Sequence, residues 1–390
     1  MRWIVTDNIY TETWNRLLEF SNVEITINQI EKFHGAPSTN GMRDNFKKQA
    51  TQARVCILQA KEYFDAAREA SIFTSPNHCY YGAVALASLM MLILGDGRKS
   101  LDYLRSDSKN CHHGLDFKTG CNASAAATAI NLLEQSYAKV MPFGQFANWY
   151  KTLPEFGASH GMAKRIYPTF NRSGRESVGN YKIDDFKKLN GSNLNLVDLI
   201  KYLPDLSDDL GRFGINAICS RSSLDVEYDY RDNSAEYRWA IHGCTPKEGL
   251  MKLLEGFKTK PQWAENFTFA VSNEDDYSAG GIVKFQYQIG ESIALSWPDT
   301  RETVNHDLIS YAEAITRHEI VDLYVVAYQL SMLSRYFPDI WVSCMESQCR
   351  AAKIVERVTD VFIRKFPILA LSLILGEEVI ISTHRPPWQI

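Results

Sequence analysis

Residues 77–94, NHCYYGAVALASLMMLIL, are apolar around almost the whole circumference of a helical wheel. A helix without a polar face has to be covered on every side by other elements. Ser75-Pro76 precedes the stretch and Gly95 follows it, and Pro in the first turn with Gly at the stop is how globular helices begin and end. Crossing a bilayer takes about 20 apolar residues, more than residues 79–94 supply, and the apolar run 366–376 is shorter still. Both are expected to be core helices, with no membrane contact, and the chain is expected to wrap around the first.

Spacing indicates what does the wrapping. Phe46, Ala50, Ala53, Ile57, Ala60, Phe64 and Ala67 recur at alternating steps of four and three, while Lys47, Lys48, Arg54, Lys61, Glu62, Asp65 and Arg68 fall off that seam. This predicts a long helix from Asp44 whose alanines allow close approach to the apolar helix. A third helix is expected over residues 122–140, with Ala126, Ile130, Leu133 and Tyr137 on one face, giving a bundle. Residues 1–43 suggest one or two short capping helices, and 171–180, rich in Arg, Ser and Gly, an exposed loop. Asn195 is placed to cap a helix over 196–202 that stops before Pro204.

Between 215 and 297 the period changes. Leu224, Val226, Tyr228 and Tyr230 alternate with polar residues, as do Tyr237, Trp239 and Ile241, and residues 267–271, 282–289 and 293–297 also read as strands. One helix at about 247–257 interrupts them. The chain then turns helical over 306–333 and again to 365, with Ile354, Val358, Val361 and Phe362 as a buried stripe, before a terminal strand at 379–382. The expected fold is mainly α, α+β overall: helical bundles flanking a small antiparallel β insertion. The expected domains are an N-terminal cap (1–43), a helical bundle (44–214), a β-rich insertion (215–300) and a C-terminal helical bundle (301–390) packing on the first.

A net charge of −4 provides no overall basic field to recruit nucleic acid or anionic membrane. The eight cysteines are dispersed without a CxxC pair, and the N-terminus lacks the apolar core of a signal peptide. Free thiols in a reducing cytoplasm are the expectation.

Three stretches resemble a known family. Gln59-Ala60 with Tyr80-Tyr81-Gly82 and His113-Gly114-Leu115 resembles the amino-terminal signature of the YaaC-like proteins of bacteria. The stretch from Asn195 to Leu206 resembles their middle helix ending in Pro-Asp-Leu. Ser334-Arg335-Tyr336 with Pro338 and Trp341 is similar to their carboxy-terminal Ser-x-x-Arg-Tyr-x-Pro-x-x-Trp region, although Arg335 here directly follows Ser334. The resemblance spans roughly residues 50–390 and implies a fold and a bacterial setting, with no reaction attached. The helical core in turn resembles HEPN-like bundles of toxin and phage-defence proteins, a likeness at fold level only.

That second likeness directs attention to Arg105 and His112. HEPN-like ribonucleases use an Arg followed within six residues by a His, the Arg neutralising the scissile phosphate and the His moving protons. Six residues separate Arg105 from His112, and His113 is carried as a catalytic candidate beside them. The plainer alternative is a structural turn in which Asp107 pairs with Lys109 or Arg105. Cys111, His112, His113 and Cys121, with His78 and Cys79, have zinc-ligand chemistry but lack the close pairs a structural zinc site uses; Cys56 and Cys79 read as buried thiols, and no metal or cofactor is expected. Residues 95–100 resemble part of a phosphate loop but read as a helix cap and turn. His318 and Asp322, one helical turn apart, offer an acid–base pair, with a salt link as the plainer alternative. Arg335, Tyr336 and Trp341 either clamp a ligand or, the favoured alternative, form a corner in which the Arg stacks on the Trp.

No familiar catalytic motif is convincing. The leading expectation is a cytoplasmic, partner-dependent sensor or scaffold subunit of a bacterial stress or phage-defence system, bound to a protein partner or forming a homo-oligomer. The alternative is a HEPN-like metal-independent ribonuclease that uses Arg105 and His112 on RNA. A small-ligand sensor is a third.

Overall fold

The protein is described from a computed structural model of the 390-residue chain. The structure describes residues 2–95, 100–153, 156–166, 171–181, 186–215, 219–229, 234–242, 267–271, 281–288, 300–302, 307–310, 319–377 and 379–383. The chain forms two compact units, one built from Met1–Pro154, Asp184–Ile200 and Ile320–Arg385, the other chiefly from Glu155–Ile183 and Lys201–Glu319.

The first unit opens with β1 (Arg2–Val5), α1 (Ile9–Leu18), α2 (Val23–His34), α3 (Asn40–Glu69), α4 (Ser75–Leu94), α5 (Leu101–Arg105), β2 (Leu115–Thr119), α6 (Ala123–Ala126), α7 (Asn131–Glu134), β3 (Ser136–Val140) and α8 (Gln145–Tyr150). The chain enters the second unit for β4 (Phe156–Ile166) and β5 (Asn171–Tyr181). It returns for α9 (Phe186–Leu189), β6 (Asn193–Asn195) and α10 (Leu196–Lys201). The second unit then takes α11 (Ser207–Arg212), β7 (Cys219–Asp229), β8 (Ser234–His242), β9 (Phe267–Val271), β10 (Gly281–Gln288), β11 (Thr300–Glu302) and β12 (Asp307–Ser310). The first unit closes with α12 (Glu319–Tyr336), α13 (Pro338–Ser347), α14 (Arg350–Leu375) and β13 (Val379–Ser382).

The core of the first unit forms where the seam of α3 meets α4. All seven seam residues, Phe46 to Ala67, are buried. Thr39 caps α3 by accepting from the Met42 N–H, and Pro76 lies in the first turn of α4, whose C-cap is Gly95. A Cβ on Gly82 would lie 2.6 Å from the Phe64 ring, so glycine there lets the two helices close together. Phe362 and Phe366 of α14 stack on Phe64 at 5.6 and 6.4 Å between centroids, and Trp14 of α1 packs at 5.3 Å. α4 is long and apolar enough to cross a membrane, yet 67% of its most apolar window is buried inside the protein. α14 runs through Pro367 without stopping. An interior proline costs a helix about 3 kcal/mol; the burial of Phe366, Ile368, Leu369, Leu371, Leu373 and Ile374 around it offsets that.

Small sheets complete this unit. β1 pairs in parallel with β13, Trp3 opposite Ile380, and β2, β3 and β6 form an antiparallel ladder. In the second unit β11, β12, β7, β8, β10 and β9 lie side by side, with Phe285 of β10 opposite both Tyr237 and Phe267. β4 pairs with β5 and runs parallel to β7. The chain is thus mainly helical with a β insertion.

Several elements differ from expectation. Residues 122–140 do not form one helix: α6 and α7 are single turns separated by Ala129 in the left-handed region (φ 45°), and 136–140 is β3. Its burial alternates, with Ser136, Ala138 and Val140 inside, so the period is two and not the helical period assumed from the alanines. The Arg/Ser/Gly-rich stretch expected as a loop is β5, paired along its length with β4. Residues 307–310, expected within a helix, are β12. The helix expected at 247–257, the strand at 293–297, the phosphate-loop-like residues 96–99 and His318 lie outside the described residues.

Candidate functional site

Three chain segments meet on the side of α4 away from Phe64. The first is α4 itself, which contributes Asn77, Tyr80 and Tyr81. The second is the turn His112-His113-Gly114 ahead of β2. The backbone amides of Gln145 and Phe146, at the start of α8, donate to the His112 and His113 carbonyls at 2.8 and 3.0 Å. Gly114 (φ 82°) and Gly144 (φ 95°) make this possible, since a Cβ on Gly144 would fall 2.6 Å from the Gly114 nitrogen. The third is one face of α12, where Tyr324, Tyr328, Ser331 and Arg335 recur at steps of four, three and four.

Polar bonds join them. Ser331 and Ser334 both donate to Asn77 Oδ1 at 3.0 Å. Tyr328 donates to the Leu115 carbonyl at 2.8 Å. The Tyr80 hydroxyl lies 2.8 Å from His113 Nδ1. Burial pushes the Tyr80 phenol well above its ordinary range, so it keeps its proton. Tyr324 packs edge-on against Tyr80 at 5.7 Å, its own buried hydroxyl beside Tyr80 without a well-aligned hydrogen bond. Tyr80 Oη and His113 Nδ1 are thus a hydrogen-bonded pair, the phenol donating to Nδ1 in one imidazole tautomer and accepting from Nδ1–H in the other. Among the described residues no hydrogen bond reaches His113 Nε2. Burial, then Arg335 and His112, lower the pKa of His113 below its ordinary 6.5, so the ring is neutral at pH 7.

Arg335 is the cation of the cluster. Its two terminal nitrogens donate to Tyr81 Oη at 2.7 Å and Tyr336 Oη at 2.6 Å, and its guanidinium lies over both rings, 5.4 and 4.8 Å from their centroids. Tyr63 stacks on Tyr81 at 5.6 Å and backs it. Among the described residues no carboxylate pairs with Arg335. Phenols orient a guanidinium but do not neutralise it, and most of its five N–H donors stay unused. Asp116, the acidic group felt by Tyr328, lies 3.7 Å from Lys118.

Of the residues singled out in the sequence, His113 lies in this cluster, Arg105 does not, and His112 is at its margin. Arg105 ends α5 with its side chain exposed, 3.9 Å from Asp102, which also binds Lys48 at 2.6 Å. His112 is exposed and sits edge-on to Phe143 at 5.7 Å. No hydrogen bond or ion pair joins Arg105 to His112 among the described residues. Asp107 caps its own turn by accepting from the Lys109 amide at 2.9 Å. Cys56 and Cys79 are buried, and burial pushes both thiols up to about 12. Arg335 does not stack on Trp341 as the corner model supposed; it reaches back to Tyr81. The sequence signal for the missed tyrosines was there: Tyr324 and Tyr328 share a helical face with Arg335, hidden in an otherwise apolar run.

Of the stretches that carried the family resemblance, Tyr80-Tyr81, His113-Gly114-Leu115 and Ser334-Arg335-Tyr336 thus meet at one site, whereas Gln59-Ala60 and the segment from Asn195 to Leu206 are not among its contacts. No curated protein and no solved structure matches the chain. The sequence model of the YaaC-like Protein family matches residues 31–374, and the chain belongs to that family.

Proposed function

We propose that this protein is a ligand-sensing subunit whose Tyr–His–Arg cluster binds an anionic group of the phosphate type. The observation that carries this is Arg335, a half-buried guanidinium held by Tyr81 and Tyr336 and lacking a carboxylate partner among the described residues, beside His113, whose Nε2 makes no hydrogen bond to another described residue. A guanidinium presents paired donors that match phosphate oxygens, and charge-assisted hydrogen bonds are roughly twice as strong as neutral ones. In its Nε2–H tautomer the imidazole adds one further donor. The site therefore offers donors and positive charge, the chemistry of anion recognition.

Metal-independent RNA cleavage, whether by Arg105 and His112 or by Arg335 and His113, is the rival. The wider role, a cytoplasmic subunit acting through protein partners or as a homo-oligomer in bacterial stress or phage defence, remains a proposal supported by sequence resemblance alone.

The test is thermal unfolding of the full chain with inorganic phosphate, pyrophosphate, nucleoside mono- and diphosphates, and short RNA in EDTA. A ligand at 100 times its dissociation constant stabilises the native state by about 2.7 kcal/mol. The expected result is a rise in melting temperature with at least one phosphate compound, absent in Arg335→Ala and retained in Arg105→Ala, with the RNA intact. RNA cleavage lost in His112→Ala or His113→Ala supports the rival, and no shift with any compound dismisses the anion site.

A further inference from the structure

A second cluster lies elsewhere in the first unit, at the corner between α13 and α14. Cys344 is buried near the end of α13, Gln348 follows in the left-handed region (φ 52°), and Cys349 is the N-cap of the 26-residue α14. The turn brings the two sulfurs to 3.7 Å, van der Waals contact. Ser347 Oγ accepts from the Cys349 amide at 3.2 Å and donates to the Cys344 carbonyl at 2.7 Å, so the geometry is held from both sides. The neighbouring backbone is fixed too: the Ala351 amide donates to the Ala129 carbonyl at 3.0 Å. Cys349 is partly exposed whereas Cys344 is not, so only one of the pair meets solvent.

We propose that Cys344 and Cys349 are a redox-active dithiol in which Cys349 meets a peroxide first and Cys344 resolves it into a disulfide. The Cys349 thiolate attacks one peroxide oxygen; the O–O bond breaks, hydroxide leaves and takes up the thiol's former proton as water, and Cys349 becomes a sulfenic acid. The Cys344 sulfur then attacks the Cys349 sulfur. An S–S bond forms, the S–O bond breaks, and the hydroxyl leaves as water with the Cys344 proton. The two thiols lose two electrons and the peroxide gains them.

The electrostatics give the two sulfurs different parts. Burial opposes ionisation of Cys349, but Ser347, the Ala352 amide and Cys344 outweigh it and hold its thiol below the ordinary range. Burial raises the Cys344 thiol. A thiol at the start of a long helix and a protonated neighbour in contact make an attacking and a resolving pair. Closing the bond shortens the sulfur separation from 3.7 Å to about 2.05 Å, which locks α13 to the first turn of α14. Cys121, buried nearby and donating to the Asn122 carbonyl at 3.4 Å, is the third thiol of the region.

The experiment treats the reduced full chain with one equivalent of hydrogen peroxide and maps each cysteine by differential alkylation and mass spectrometry. Exposed Cys111 is the internal control. The expected result is loss of two hydrogens to a Cys344–Cys349 disulfide, with Cys349 consumed at least about tenfold faster than Cys111. Cys344→Ser accumulates a dimedone-trappable sulfenic acid at Cys349, and Cys349→Ser leaves Cys344 unmodified. Consumption of Cys111 as fast as Cys349, or a disulfide that uses Cys121 in place of Cys344, overturns the proposal. The rates are read in the wild-type chain, so the outcome does not depend on either variant folding.

Discussion

The two flanks of α4 are built on opposite principles. Toward α3 and α14 it offers Gly82 and alanines, and the rings of Phe64, Phe362 and Phe366 fill the space around Gly82, with buried Gln49 donating to the Leu92 carbonyl farther along. Toward α12 and the His112-His113-Gly114 turn it offers Asn77, Tyr80 and Tyr81, each bonded to a side chain from another segment. The dry flank supplies stability through burial. The wet flank spends aromatic bulk on holding hydroxyls, an imidazole and a guanidinium in fixed positions. A helix apolar around its circumference can therefore carry a site, provided each of its few polar groups, here an amide and two phenols, meets a partner from another segment.

Mutations should separate the flanks. Phe64→Ala empties the centre of the dry one and should lower unfolding stability by about 3–5 kcal/mol, measured by urea denaturation, with phosphate response retained wherever the variant stays folded. Tyr80→Phe keeps the ring and removes the hydroxyl, leaving His113 Nδ1 without its hydrogen-bond partner. The expected loss is about 1–3 kcal/mol, together with a weaker ligand response, because the imidazole is freed to reorient. Equal losses from the two variants, or a ligand response untouched by Tyr80→Phe, would erase the distinction.

His113 sharpens the comparison through pH. Its native pKa lies below the ordinary 6.5, so as pH falls the unfolded chain takes up the proton first. The stability that the neutral ring contributes is present above pH 6.5 and is lost as pH falls through that value toward the native pKa. His113→Gln should flatten this part of the stability–pH curve, and Phe64→Ala should leave its slope unchanged. The smallest effect belongs to Arg105→Ala: an exposed side chain 3.9 Å from Asp102 should change stability by no more than about 0.5 kcal/mol, with phosphate response unaltered.

The dry flank was legible in the sequence because burial there follows helical period. The seam of α3 and the stripe of α14 come from spacing, and the limits of α4 from Pro76 and Gly95. The wet flank was legible only in pieces. Tyr80-Tyr81, His113-Gly114 and Ser334-Arg335-Tyr336 stood out as motifs, yet nothing in their sequence positions says that residues more than two hundred apart share hydrogen bonds. A search by local spacing joined Arg105 to His112, whereas tertiary packing brings His113 to Arg335. The helix expected over 122–140 failed for a related reason: its alanines suit a helix, but Ala129 turns left-handed and Ser136 bonds Thr119 and the Leu132 carbonyl, which starts a strand.

The most direct measurement is NMR titration of the His113 imidazole in the full chain, with and without inorganic phosphate. If Arg335 and His113 bind the anion together, phosphate raises the His113 pKa in the wild type, because a bound negative charge favours imidazolium, and leaves it unmoved in Arg335→Ala. A His113 pKa indifferent to phosphate, or one that moves equally in Arg335→Ala, would contradict the account.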